Sequence, residues 1–419
     1  MILKDEDHSR QHSIEGLAYA SLQASVKESI IDNEKLLKHL VQVLSQAKPR
    51  STTAYGSLSI FVNLTRYLPV LSEEDKKMNQ LKAYANAAGK QGKPDPLNED
   101  DRVSRRCKAV FNAGIVPVLV AQSKHSSPAA LALTVSIVHS LAVTKTIRGQ
   151  LAQQGAVKLL LACWAALPEP EDPPRRLAAQ ALARILISTN PALVFGGNRA
   201  SGVSVAVRPL VAILPPDPAA DRRDLLPSFE SLMALTNLAS LDDEDTRRII
   251  IRSAWPQIEE QLLSSNAYVS KAAVELVCNL MQAPEGVALY ADESSQAKNR
   301  LHILLALADA EDEGTRSAAG GALASLTGFE SVVRCIVMRE RGVKVILGMC
   351  VDDNEDLRHR GVVTIHNMVS AEGKTGVEAQ EKVKAEDGVE AMKECLKKSR
   401  RPEVLQITVQ ALKTLLGQT

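Results

Sequence analysis

Aromatic side chains make up only 3% of the 419 residues. That is too few for the stacking platforms of a single-stranded nucleic-acid binder or for an aromatic-rich β-sandwich. An excess of either charge is also missing: 50 Lys and Arg stand against 49 Asp and Glu, so nothing global recommends nucleic acid or an anionic membrane as partner. The six cysteines (Cys107, Cys163, Cys278, Cys335, Cys350 and Cys395) form no C-x-x-C pair and no dense framework, as expected of buried thiols in a reducing, cytoplasmic compartment. The opening MILKDEDHSRQHS has no apolar signal core, and no run reaches the roughly eighteen apolar residues that a membrane span needs. Neither secretion nor insertion is expected.

Signatures of catalysis are lacking too. AEGKTG, from Ala371 to Gly376, contains Gly-Lys-Thr, but a phosphate-cradling loop needs another glycine five residues before Gly373, where Met368 stands. His359 and His366 could share a helix side, yet no H-E-x-x-H or carboxylate cluster completes a metal site. No G-x-S-x-G occurs. The sequence indicates neither an enzyme nor a cofactor.

What is present is a repeat. In SFESLMALTNLAS, from Ser228 to Ser240, apolar residues fall five and two before Asn237 and one after it: Leu232, Leu235 and Leu238. At about 100° per residue they share one face, centred about 160° from the asparagine, which points away from that core. The same template fits Leu58, Phe61 and Leu64 around Asn63, Val274, Val277 and Leu280 around Asn279, and Val362, Ile365 and Met368 around Asn367. Without the asparagine it fits around Tyr19, Ser140 and Arg184, and more loosely around Ser325 and Thr414. Successive index positions are 44, 77, 44, 53, 42, 46, 42 and 47 residues apart. Intervals of 42 to 47 are the length of an armadillo or HEAT repeat, whose helices bury their apolar faces only against the next unit. The expected fold is all-α: a right-handed superhelical armadillo/HEAT-like solenoid of about eight to nine repeats, forming one domain over residues 1–419.

The two long intervals coincide with polar, turn-rich sequence. Residues 72–106, from Ser72 to Arg106, read as a surface insertion, and PPDPAADRRDLLP, residues 215–227, as a proline-bounded linker between repeats. Several index helices follow an acidic or proline-rich turn and a basic residue: PEPEDPPRR ahead of Ala178, EDEGTR ahead of Ser317, DDNEDLRHR ahead of Gly361. Acidic groups suit a helix N-terminus, so these turns are read as helix starts rather than binding patches. The short apolar runs GIVPVLVAQ, GAVKLLLACW and GVKVILGMC are read as helices that open repeats, because they lie between helices at a helical period.

In stacked three-helix repeats the last helix of each unit lines the inner surface. Equivalent asparagines there form a ladder whose amides can bind the main chain of an extended peptide. The alternative is that each amide caps or bridges neighbouring helices. On the groove reading, Asn63, Asn237, Asn279 and Asn367 are the rungs, and Met233, Glu275, Arg66, Ser240 and Gln282 are their neighbours on the same side.

SIEGLAYASLQASVKESI from Ser13, FNAGIVPVLV, ISTNPALVF from Ile187, SFESLMALTNLAS and LRHRGVVTIHNMVS from Leu357 together resemble the UCS family of myosin chaperones. Its animal members carry an extra tetratricopeptide domain and its fungal members lack it. The resemblance runs from about Ile14 to Met368 and weakens after Ser370. It implies an armadillo domain that binds the myosin heavy chain motor head, assists its folding, prevents its aggregation and so supports actomyosin assembly. It also implies a client-contact role for Asn237, Asn279 and Asn367, with Glu230 and Met233. This chain opens on what look like the late helices of a repeat, so a fragment or one half of an assembly is among the expectations. No tetratricopeptide pattern is found, so contact with a heat-shock chaperone would run through other regions or indirectly.

The rival readings are a generic armadillo adaptor or scaffold that binds a linear motif. Import adaptors resemble one another in carrying a tryptophan four positions before each groove asparagine. Here those positions hold Ser59, Met233, Glu275 and Val363.

Overall fold

The structure is a computed structural model. It describes residues 7–68, 95–168, 173–196, 202–218 and 223–417. These form helices joined by short turns, and no strand occurs among the described residues. The chain divides into two compact units, one reaching Ile213 and the other beginning in the proline stretch and running from Arg222 onward.

In the first unit, after a helix at Asp7–Ala20, helices follow in sets of three. The sets are Ala24–Asp32, Glu34–Gln46 and Thr52–Thr65; Asp100–Asn112, Ile115–Ser123 and Pro128–Val143; and Arg148–Gln153, Ala156–Ala166 and Pro173–Ile187. The second unit opens with Leu226–Ala239 and the pair Glu244–Leu262 and Ala267–Leu280. Three full sets then end on Glu313–Leu326, Glu355–Val369 and Pro402–Leu416. All nine index positions fall in the last turns of their helices, namely Asp7–Ala20 and Leu226–Ala239, which open the units, and the seven helices that close the pair and the sets of three. Within each unit every such index helix packs on the next one, which is the stacking of an armadillo-like solenoid.

The local reasons are those the sequence carries. Ser51, Ser127, Asp243, Asn266, Asp312 and Asn354 each accept a hydrogen bond from a backbone N–H in the first turn of the helix that follows. Each thereby satisfies a donor that the helix cannot pair itself. The acidic turns ahead of Ser317 and Gly361 are thus helix starts. Gly114 and Gly155 take positive φ at the entry to their helices, a conformation that costs glycine least. The three glycine-opened apolar runs are all helical.

The template residues around Asn63, Asn237, Asn279 and Asn367 are at most 2% exposed. Each such side chain contributes roughly 1.5–3 kcal/mol when fully buried. The Ser140 and Arg184 helices bury Val135, Val138, Leu141, Ala179, Leu182 and Ile185 in the same way.

Two boundaries differ from the sequence reading. The expected surface insertion at 72–106 ends sooner, because helix Asp100–Asn112 lies partly inside it and buries Val103 and Arg106 completely. Its polar composition conceals this, since Arg106 is buried by pairing with Glu28 and with backbone carbonyls. Residues 72–94 lie outside the described residues. The proline stretch 215–227 gives up Leu226 and Pro227 to the first turn of the next helix, where proline's missing N–H costs nothing.

Candidate functional site

Asn63, Asn279 and Asn367 lie half-buried on the side of their helices that faces the preceding repeat. Asn63 Nδ2 donates to the carbonyl oxygen of Ala18 at 3.1 Å and to Ser21 Oγ at 3.0 Å. Asn279 Nδ2 donates to Thr236 O at 3.1 Å. Asn367 Nδ2 donates to Ala324 O at 3.1 Å and to Thr327 Oγ1 at 3.3 Å. Each amide therefore donates to a carbonyl in the last turn of the previous index helix, which shares it with a local donor: the Ser21 hydroxyl at Ala18 O, the Ser240 N–H at Thr236 O and the Thr327 hydroxyl at Ala324 O. Their Oδ1 atoms receive no hydrogen bond among the described residues. Asn237 is half-buried at the corresponding place in its own helix.

The flanking residues divide. Gln282 is exposed, and its Oε1 accepts from Arg247 at 2.9 Å. Ser240 is exposed and donates to Asn237 O at 2.8 Å. Met233 is half-buried, whereas Glu230 is buried in the first turns of its helix. Glu275 is half-buried, and burial raises the affinity of its carboxyl for a proton, Lys271 opposes this, and Asp312 adds to it.

The basic residues that follow the turns serve the framework. Arg316 donates to Ala310 O at 3.1 Å, and Arg358 donates to Asp352 O at 2.8 Å and Ser399 Oγ at 2.9 Å. Arg175 stacks over Trp164, 3.9 Å from its ring centre. Trp164 and Trp255 are both buried, so neither lines the index side as the tryptophans of an import adaptor would. Gly-Lys-Thr opens helix Gly373–Ala385 and follows a helix rather than a strand. Thr375 in it is buried and donates to Glu330 Oε1 at 2.8 Å, which is no phosphate cradle.

Sequence reasoning missed an aromatic pair of which one ring is exposed and the other half-buried. Phe229 and Tyr268 meet edge to face with centroids 6.4 Å apart, and Tyr268 is 73% exposed. They lie eight and eleven residues before Asn237 and Asn279. In a chain so poor in aromatics, that placement near the start of two adjacent index helices was the available signal. No single described helix is long and apolar enough to cross a membrane.

No family model matches the chain. Ring assembly protein 3 of Schizosaccharomyces pombe is 32% identical over 362 residues, covering 85% of this chain and 47% of that protein. The solved structure of UNC-45 from Drosophila melanogaster aligns with a TM-score of 0.81 at 29% identity, covering 99% of this chain and 50% of its own. That of the myosin chaperone UNC-45 from C. elegans in complex with an Hsp90 peptide aligns with a TM-score of 0.79, covering 98% of this chain and 42% of its own. At 23% identity this last likeness concerns the fold alone. The chain thus spans about half the length of the curated relative or less than half of the longer structure. Its sequence relatives, its helical repeats and the motifs quoted above agree: the chain belongs to the UCS family.

Proposed function

We propose that the chain is a myosin-directed chaperone. It holds the myosin motor head on the index side of its helices, assists folding, limits aggregation and so supports actomyosin assembly. The observation that carries this reading is the relationship to Ring assembly protein 3 along 85% of the chain. A fold shared with a protein named as a myosin chaperone supports it.

On this reading the asparagines divide their labour by atom. Nδ2 holds neighbouring repeats together, while Oδ1 of Asn63, Asn279 and Asn367 remains an acceptor for main-chain N–H groups of an extended client segment. Asn237, Met233, Ser240, Glu275, Gln282 and the buried Glu230 complete the face in the second unit. The protein acts by binding, in the cytoplasm, without a catalytic step, a cofactor, nucleic acid or a membrane. A heat-shock chaperone would meet the same client through other regions or indirectly.

The test is capture of purified myosin heads by the wild type and by the double variant Asn237→Ala with Asn279→Ala, alongside protection of heads from heat-induced aggregation. Lower capture and weaker protection, with unchanged helical circular dichroism, is the expected result. Unchanged capture counts against the assignment of this face.

A further inference from the structure

The overall charge balance conceals a division along the chain. Up to Ile213 there are 26 Lys and Arg against 17 Asp and Glu, and from Leu214 onward there are 24 against 32. The acidic excess is concentrated in residues 214–313, with 18 Asp and Glu against 8 Lys and Arg. Both the Asn237 and the Asn279 helices lie in this stretch. Its cations are largely committed: Arg247 to Ala239 O, Leu241 O and Gln282, Arg300 to Glu259, Arg248 to Asp245, and Lys271 to Asp312.

Glu275 is the carboxylate left over on the index side. It is half-buried, yet it makes no hydrogen bond and no ion pair among the described residues. Lys271, one turn earlier and well placed for an i,i+4 partner, turns to Asp312 at 3.2 Å instead. Burial disfavours the ionised Glu275 carboxylate, the Lys271 charge offsets this in part without reaching it as an ion pair, and the Asp312 charge adds to it. A partly desolvated charge without a partner is a cost to the folded protein that an incoming cation would relieve.

Beside it lies an apolar wall. Tyr268 precedes Glu275 by seven residues, two turns back on the same helix side, and is 73% exposed. Its ring meets Phe229 of the neighbouring helix, and Met233 follows Phe229 by one turn. Seven residues of helix span about 10.5 Å, close to the roughly 9 Å covered by three residues of extended chain in the polyproline II conformation, whose three-residue turn sets side chains three apart on one side.

We propose that Phe229, Met233, Tyr268 and Glu275 form a subsite for an extended polypeptide segment, which sets a lysine or arginine against the Glu275 carboxylate and an apolar side chain, three residues away, against the aromatic pair. The proposal rests on the client-binding reading above and specifies the client chemistry that this face selects. The aromatic rings accept the apolar side chain and the aliphatic stem of the cation. Asn279 Oδ1, one turn beyond Glu275, is placed to accept a main-chain N–H of the same segment.

The test uses the full chain and a fluorescein-labelled peptide, Ser-Gly-Phe-Ser-Gly-Lys-Ser-Gly, read by fluorescence polarisation against the same peptide with Gln or Glu in place of Lys. The Lys peptide is expected to bind about three- to tenfold tighter than the Gln peptide, with the Glu peptide weakest. That preference should vanish in Glu275→Gln, whose removal of an unpaired charge leaves the fold at least as stable. It should persist in Glu260→Gln, which removes the same net charge from an exposed position on another helix. Equal binding of the Lys and Gln peptides, absence of binding by both, or a preference that survives Glu275→Gln overturns the proposal. An equal loss in Glu260→Gln overturns it too, since diffuse acidity would then suffice. Myosin-head capture separates this from the broader reading. Capture lost in Asn237→Ala with Asn279→Ala but intact in Glu275→Gln sinks the subsite alone. Capture unchanged in both variants, with the peptide preference present, sinks the assignment of the myosin head to this face and leaves the subsite standing.

Discussion

The Asn279 amide nitrogen lies 3.1 Å from the carbonyl oxygen of Thr236, 43 residues earlier on the preceding index helix. Asn367 makes the same bond to Ala324 across the same separation. A residue read as a client contact is thus also a tie between repeats. Asn367→Ala is expected to lower stability by about 1 kcal/mol, the net worth of one such bond, seen as a lower urea midpoint at unchanged helical content. An unshifted midpoint would mean that stacking alone holds the repeats in register. Asn279→Ala should behave likewise, so its effect on capture must be read at a temperature where both proteins remain folded.

His139 Nε2 lies 3.0 Å from Gln180 Oε1 and 3.1 Å from the Arg184 guanidinium. Only a neutral ring can accept from Arg184, and burial followed by the Arg184 charge pulls the histidine down to about 4. An unfolded histidine titrates near 6.5. The unfolded chain therefore binds the proton first as the pH falls. The stability contribution is complete above about 6.5 and is lost progressively as the pH drops through 4. At about 1.4 kcal/mol per pH unit, lowering the pH from 7.5 to 5.0 should cost the first unit about 2 kcal/mol through this residue. Denaturant titrations at the two pH values should show a smaller drop in His139→Gln than in the wild type. Equal drops would assign the loss to carboxylates elsewhere.

Arg106 is fully buried, with its guanidinium 2.7 Å from Glu28 Oε1, 2.9 Å from Leu64 O and 2.6 Å from Leu97 O. Arg106→Met leaves the buried Glu28 with the half-exposed Arg105 as its remaining partner. The expected loss is about 3–5 kcal/mol, the usual cost of breaking a buried pair from one side. Adding Glu28→Gln to Arg106→Met should restore part of it, because the stranded charge is then gone. A double variant no more stable than Arg106→Met would place the loss in the two carbonyl contacts.

Two glycines make opposite predictions under the same substitution. A Cβ on Gly361 would meet the backbone nitrogen of Cys350 at 2.8 Å and the carbonyl carbon of Met349 at 3.0 Å. Neither can move without displacing a helix. The gain in helix propensity, up to about 1 kcal/mol, is outweighed by about 1–3 kcal/mol of overpacking, so Gly361→Ala should lower the melting temperature. A Cβ on Gly348 meets nothing within 4 Å, so Gly348→Ala should raise it. Calorimetry of both variants checks the pair, and shifts of the same sign would refute the close-approach argument.

Much of the fold was legible because its causes are local. Apolar residues five and two before an index position and one after it must share a helix side, and they recur at Leu58, Leu232, Val274 and Val362. Asp312 and Asn354 announce helix starts by residue type, and the structure gives both their caps. The insertion boundary was misread for the opposite reason. Arg106 looks like surface because its partner Glu28 lies 78 residues away. The charge division at Ile213 could have been found by counting each half separately, since only the total is neutral.

The sequence by itself determined an all-helical repeat protein, its period and the inward face of each index helix, because periodicity and capping act within one or two turns. Only the tertiary structure decided what the other face does. Angular arithmetic turned the asparagines away from the core of their own repeat but could not reveal the neighbouring helix that accepts their amides. Those carbonyls lie 43 to 45 residues back along the chain. For the same reason no pattern in the sequence could tell that Lys271 would choose Asp312, 41 residues on, and leave Glu275 without a partner. Pairing between stacked helices depends on their register in space, which residue spacing along the chain does not encode.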